Sequence, residues 1–544
     1  MRALLGGMAL AVGAAACGPI PAASGPSHAA KPVSVGWPQF GNTLENTRFA
    51  ALTQVSTADV RKLRVAWTMS EGPGASLWED YPVVVGGTMY LTTGTDEVEA
   101  LDAATGRVRW SYTPTVDFFL PGAGALVLAT NRGVAVSGGR VFVTTFDDRL
   151  VALRASTGRL LWQAQVSDPR LGYTETAAPT AFHGSVYVGN SSQGTGVRGF
   201  VAAYDARSGV LRWRFYTVPA PGHGWVPRGG HHGGGDVWMP PTLDPTTGVV
   251  YAATGNPTPD LVGSVRPGCD PHVDSTIALS ASTGRLLWAH HEVCPDVWDY
   301  DTDQSPMVFG LDLHGRLTEV VGDASKSGRF SLLAAATGRL LAESPYLTPY
   351  SRPHRAPSQR GVSVCPGAFG GLEYSPPSYD PATGRIYLDG SRACMRYVAE
   401  SPTAAARHRA GQPDVGGAFT LLPAPRPIGY LAAVDARTGR VRWEDRLPLP
   451  SVGGTLATAG GLVFTGDDDG HLYAVDARSG RVLWSPDVGL PVGSGPFSYE
   501  VGGRQYVAVV TGGSQLAVLA GQRTGGRLVV FALPASHRTR TASG

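Results

Sequence analysis

Lysine is nearly absent from this 544-residue chain: of its 45 lysines and arginines, only Lys31, Lys62 and Lys326 are lysine. The bias reflects a coding preference and excludes nothing by itself, but it singles out Lys326, inside GDASKSGRF, as a residue in need of a reason. A dominant charge sign is lacking too. The formal net charge is +2 with both signs dispersed, and without a basic stripe interleaved with aromatics nucleic acid is excluded as a partner. Helix signals are scarce. Glycines (72) and prolines (42) punctuate the chain at turn spacing, and only Thr57–Leu63 reads as a short helix, capped by Ser56 or Thr57. Cysteine occurs five times, at positions 17, 269, 294, 365 and 394. None stands in a CxxCH arrangement, which excludes a covalent haem site of the chain's own.

The one long apolar run, Ala3 to Ala16, follows Arg2 and is too short to span a bilayer. Its order is that of a secretory signal peptide, so an exported protein is expected. Ala14-Ala15-Ala16-Cys17 resembles a bacterial lipobox with alanine in place of the usual leucine, which makes Cys17 the expected lipidation site and a lipid anchor the only expected membrane contact. The expected organisation is a signal segment over 1–17, a flexible Pro/Ala/Ser-rich tether over 18–34, one domain over 35–534 and a disordered tail over 535–544. In an exported chain the other four cysteines suit two disulfides. Three pairings are open, and the nearest-neighbour pairs Cys269–Cys294 and Cys365–Cys394 are the expectation.

What the chain has in abundance is one repeated text: ALDAATGRVRW ending at Trp110, ALRASTGRLLW at Trp162, AYDARSGVLRW at Trp213, ALSASTGRLLW at Trp288, AVDARTGRVRW at Trp443 and AVDARSGRVLW at Trp484, with a worn copy ending at Ala342. Each copy reads as strand, tight turn, strand, its Thr/Ser-Gly corner taking positive φ. Recurrence at roughly 40–55 residues is the mark of a propeller, and the tryptophan is expected to wedge between neighbouring blades. SYDPATGRIYL around Gly384 is read as filling the long step to Trp443, and LDPTTGVVYAA near Gly248 as an extra hairpin within a blade. The fold expected is all-β, an eight-bladed propeller.

The segment from Trp37 onward, WPQFGNTLENTRFAALTQVSTADVRKLRVAWTMSEG, together with these hairpins, resembles the quinoprotein alcohol dehydrogenases, eight-bladed propellers that hold pyrroloquinoline quinone (PQQ) and a metal ion. The resemblance runs from about Trp37 to about Leu533 and includes TNRGVAV, GGGDVWMPP, ATGNPTP, PDVWDYD and the CPG stretch from Cys365. It implies that Glu79 hydrogen-bonds the quinone and that Arg132 binds one of its carboxylates, a task suited to a planar bidentate donor. It implies that Thr176 contacts the cofactor, that Trp238 is the indole floor beneath the ring, and that Lys326 lies beside a quinone oxygen. Asn256 is implied as a metal ligand and Asp299 as catalytic base and ligand. Asp301 matches an acidic residue that accompanies a lanthanide in some members, so calcium or a lanthanide is implied. Cys365–Cys394 matches a structural disulfide of the family.

The departures are as specific. The family's metal-binding glutamate falls at Gly194, in SSQGTGVRG; the vicinal cysteine pair falls at Leu126 and Val127; and Glu373 stands where an asparagine is usual. An ion wants several oxygen ligands, so the loss at Gly194 weakens the implied site, and Glu373 either supplies a carboxylate or spoils it. Read without the family, Asp299 and Asp301 on a strand would share one face, with an Asx turn as the alternative; Arg132 and Lys326 would be surface cations; and His223, His231 and His232 would be solvated loop residues. The implied activity is oxidation of an alcohol, with electrons leaving to an external acceptor. The alternative is a non-catalytic, lipid-anchored propeller serving as a scaffold or ligand-binding module.

Overall fold

Each copy of the repeat forms the outer hairpin of a sheet. Val98–Asp102 turns at Thr105-Gly106 into Val108–Tyr112, and the same construction recurs at Phe200–Asp205 with Leu211–Tyr216 and at Gly429–Asp435 with Val441–Leu447. In four of the copies a leading aspartate makes the corner. Asp102 accepts from the amide and hydroxyl of Thr105 (3.0 and 2.8 Å) and from Arg109 (2.9 Å), and Asp205, Asp435 and Asp476 repeat the turn contacts. The pairing slips register at the same point after the corner in seven sheets, a recurring bulge that sharpens the local twist.

The computed structural model describes residues 35–534 except 73–76, 119–128, 193, 221–232, 351–355, 410, 425, 427 and 523–524. The signal segment with Cys17, the tether, the tail, Leu126, Val127, His223, His231 and His232 lie outside the described residues. Antiparallel blades span 83–112, 135–165, 180–216, 242–291, 307–343, 378–447 and 456–484. The eighth joins Arg64–Gly72 to the C-terminal strands Phe497–Val501, Arg504–Thr511 and Gly526–Ala532, so the two ends of the domain share a sheet. Phe49–Ala50 adds a short parallel strand to Leu456–Thr458. A small sheet of Val362–Val364, Met395–Ala399 and Gly417–Leu421 is inserted around the sixth blade.

Neighbouring blades interlock through the repeat itself. A Cβ at Gly158 would lie 2.5 Å from the Trp110 ring, and Gly106, Gly209, Gly284, Gly338 and Gly480 face Trp67, Trp162, Trp213, Trp288 and Trp443 as closely. The glycine that permits the turn in one blade is therefore also the seat for the indole of the preceding one. Four of these indoles donate onward: Trp110 to Ala155 O (2.9 Å), Trp213 to Ala281 O (3.0 Å), Trp288 to Ala335 O (2.8 Å) and Trp443 to Ala477 O (3.2 Å). Where Ala342 has replaced the indole, the backbones close up, and a Cβ at Gly439 would meet Glu343 O at 2.0 Å.

Two sequence expectations change. The turns at Gly248 and Gly384 are neither an extra hairpin nor a separate blade. They join the first two strands of the fourth and sixth blades, Thr242–Asp244 to Val249–Ala253 and Ser378–Asp380 to Arg385–Ser391. The count of eight stands because the shared-end blade, whose indole is Trp67, completes the ring. The expected helix is a single 3-10 turn, Val60–Lys62, with the Ser56 hydroxyl accepting from Ala58 N rather than capping a longer helix.

Candidate active site

A cavity of about 170 Å³ is lined by loops that lead out of several blades. Glu79, Arg132, Thr176, Trp238, Asn256, Asp299, Asp301 and Lys326 all line it, joined by Glu373 and by Gly194. The surface-cation reading of Arg132 and Lys326 is corrected: both are buried, at 5% and 6% exposure.

At one end the groups pair off. Arg132 Nη2 donates to Glu79 Oε2 at 2.6 Å, its Nη1 donates to Thr176 Oγ1 at 2.8 Å, and the Tyr374 hydroxyl donates to Glu79 Oε1 at 3.0 Å. The guanidinium carbon lies 5.0 Å from the Trp238 ring centroid and 5.1 Å from that of Tyr374. Burial raises the Glu79 carboxyl, with Arg132 and Tyr374 opposing, and burial holds the Tyr374 phenol well above its usual range. Arg132 Nε is buried with no partner in the protein. A buried guanidinium with a donor to spare, beside an indole that lines the cavity, suits an anionic, planar ligand.

At the other end carboxylates outnumber cations. Lys326 Nζ lies 2.7 Å from Asp301 Oδ2, 3.4 Å from Asp299 Oδ1 and 4.0 Å from Glu373 Oε1. Burial works against the ammonium, yet Asp299, Asp301, Glu373 and Asp303 together raise its pKa well above the ordinary lysine value, so it stays charged. The Asp299 carboxyl is raised well above its usual range, first by burial and then by Asp301 and Asp260, with Lys326 opposing. Glu373 is raised by burial, again against Lys326.

The two aspartates do not sit on a strand. They occupy a loop in which Asp296 accepts from the amides of Trp298 (2.9 Å) and Tyr300 (3.0 Å), and Asp299 itself takes φ of 64°. The Asx turn thus belongs to Asp296. Tyr300, fully buried, donates to Pro366 O at 2.7 Å and pins the loop between its flanking carboxylates. Asp301 Oδ1 then accepts from Asn256 N at 2.5 Å. Gly255 makes that approach possible, since a Cβ there would stand 3.2 Å from Asp301 Oδ1 and 3.4 Å from Trp238 Nε1. Asp236 ties the Trp238 loop to the neighbouring blade, accepting from Asn190 Nδ2 (3.0 Å) and from the Ser192 amide (2.7 Å) and hydroxyl.

Among the described residues no group of three or more His, Cys, Asp or Glu side chains forms a ready metal cage. The donor chemistry nevertheless fits a hard cation: every candidate ligand is an oxygen, and Asp260 Oδ1 is buried with no hydrogen-bond partner. Disulfides join Cys269 to Cys294 (Cα–Cα 5.3 Å) and Cys365 to Cys394 (4.5 Å). Tyr374, Asp260 and Asp303 were not apparent from the sequence. Tyr374 meets Glu79 across 295 residues, a separation no local pattern reports.

The model of the glucose/ethanol/alcohol dehydrogenase PQQ β-propeller domain matches residues 37–345 and 341–507. Quinohemoprotein alcohol dehydrogenase ADH IIB of Pseudomonas putida is 33% identical over 91% of this chain and 77% of its own length. Among solved structures, quinohemoprotein alcohol dehydrogenase ADHIIG of Pseudomonas putida HK5 superposes with a TM-score of 0.82 at 29% identity, covering 92% of this chain and 80% of that one. A europium-containing methanol dehydrogenase does so at 0.83 and 28%, covering 92% and 98%. With the family model and these relatives matching most of its length, the chain belongs to the PQQ-dependent alcohol dehydrogenase family and is an oxidoreductase.

Proposed function

We propose that the chain is exported and oxidises an alcohol in this cavity, using PQQ and a calcium or lanthanide ion, and that it passes the electrons to a separate acceptor. The observation that carries the reading is the convergence of Arg132, Trp238, Asn256, Asp299, Asp301 and Lys326 on one cavity. The europium-containing relative adds support for a lanthanide. When bound, PQQ accepts the hydride equivalent of the alcohol while the ion acts as a Lewis acid.

The chain's own residues have separable tasks. Asp299 takes the proton of the substrate hydroxyl, its carboxylate lining the cavity with Oδ1 3.4 Å from Lys326 Nζ. Lys326, held cationic by four carboxylates, presents positive charge where oxyanion character develops. Trp238 offers a ring face, and Arg132 with Thr176 offers donors to a carboxylate. Glu79 keeps Arg132 oriented, and Tyr374 keeps Glu79 in place. Asn256, Asp299 and Asp301 would hold the ion, with Glu373 as a further carboxylate in reach of Lys326. The sequence over 1–17, ending at Cys17, supports export with a lipid anchor. No helix among the described residues is long and apolar enough to cross a membrane.

The test uses purified mature chain loaded with PQQ plus calcium or lanthanum and assayed for dye reduction over a panel of alcohols. Ion-dependent turnover is expected. Absence of both PQQ binding and turnover refutes the reading in favour of a non-catalytic propeller.

A further inference from the structure

We infer that Asp260 supplies the ion-site carboxylate that position 194 no longer carries. The inference rests on the function proposed above and concerns only which residues hold the ion.

Four carboxylates near the cavity could compensate for Gly194, and their partners separate them. Asp236 is spent, both oxygens accepting from Asn190 and Ser192. Glu373 accepts from Tyr374 N at 3.2 Å and faces Lys326. Asp414 adjoins position 194 through its amide, which donates to Gly194 O at 2.7 Å, and its Oδ1 is likewise buried with no hydrogen-bond partner, but it faces His408 at 3.8 Å and does not line the cavity. Asp260 differs from all three. It is 4% exposed, lines the cavity, and its Oδ1 is buried with no hydrogen-bond partner. The nearby Arg266 does not answer it through its side chain: that guanidinium donates to Asp270 Oδ2 (3.0 Å) and to the backbone carbonyls of Pro259, Asp260 and Asp296.

Position links Asp260 to the vacated place. Leu261 N donates to Val415 O at 3.0 Å, Asp414 N donates to Gly194 O, and the nearest atom to a Cβ at Gly194 would be Val415 Cγ1 at 3.7 Å. Asp260 thus follows the same short strip of chain, 414–415, that borders Gly194, and it lies four residues after Asn256. A buried carboxylate oxygen with no donor carries a desolvation cost that is offset when a cation takes it as a ligand. The side chain comes from a different loop from the lost glutamate, yet it faces the same cavity.

The experiment measures terbium(III) luminescence and calcium calorimetry on the PQQ-loaded full chain, for wild type, Asp260→Asn and Asp301→Asn, with thermal unfolding of each apo form. Asp260→Asn is expected to weaken terbium binding at least tenfold while leaving the apo midpoint equal to or above that of wild type, because the substitution removes a buried carboxyl whose Oδ1 has no hydrogen-bond partner. Unchanged affinity in Asp260→Asn beside a loss in Asp301→Asn overturns the inference and leaves the proposed function standing. A lowered apo midpoint in Asp260→Asn assigns the residue to folding and overturns the inference as well. Wild-type chain that binds neither ion refutes both.

Discussion

The two ends of the cavity solve opposite problems. Around Arg132 each charge meets its opposite: one guanidinium, one carboxylate, a phenol and a hydroxyl within 2.6–3.0 Å. Around Lys326 one ammonium faces Asp299, Asp301 and Glu373, and Asp260 in the same cavity wall holds an unpartnered oxygen. A neutralised end keeps its shape without a ligand, whereas an end with surplus negative charge is relaxed by cation binding or by taking up protons. On the proposed function, the first would orient a ligand and the second would hold an ion and move a proton.

The sharpest break in that contrast is Asp299→Ala. Loss of the base should cut turnover by ~10²–10⁴-fold while PQQ binding at the Arg132 end persists, as separate titration and dye-reduction measurements would reveal; a comparable loss of PQQ affinity would erase the distinction between the ends. Next comes Arg132→Met, which strands Glu79 in a buried site. Breaking such a pair costs about 3–5 kcal/mol, read by urea unfolding, and PQQ binding should fall with it. Adding Glu79→Gln should restore much of the stability and none of the PQQ affinity.

The smallest effect concerns pH. Asp80, beside Glu79, is pushed up to about 8 by burial, against hydrogen bonds from the Thr92 hydroxyl and amide. Asp468 is pushed up to about 8 and Asp96 to about 7 by the same cause. Each keeps its proton in the fold at pH values where the unfolded chain has released it, so stability is highest on the acid side and falls as pH rises from about 4 toward 8. The apo thermal midpoint should therefore be lower at pH 8 than at pH 5, and Asp80→Asn should narrow the gap. An unchanged gap would remove Asp80 from the account.

The blades were legible because their text is local: a Thr/Ser-Gly corner and an indole within a dozen residues specify both a hairpin and its contact with the next blade. The same local text misled at Gly248 and Gly384, since the first two strands of a blade can turn at a Thr-Gly corner as readily as the last two. The eighth blade was hidden because its strands come from opposite ends of the domain and Trp67 has no such corner before it. For the site, resemblance brought forward Glu79, Arg132 and Asp299, each in a distinctive motif. Tyr374 and Asp303 carry no motif. Asp260 had one faint signal, a carboxylate in the otherwise uncharged stretch 254–265, and its meaning depends on partners that only the folded chain reveals.

The most direct test is a diffraction experiment on the chain crystallised with PQQ and lanthanum, using the anomalous signal of the ion. The account predicts one strong peak within ligand distance of Asn256, Asp299 and Asp301, with the quinone lying against Trp238 and its carboxylate at Arg132. A hub filled only with water, or a peak elsewhere on the ring, would contradict it.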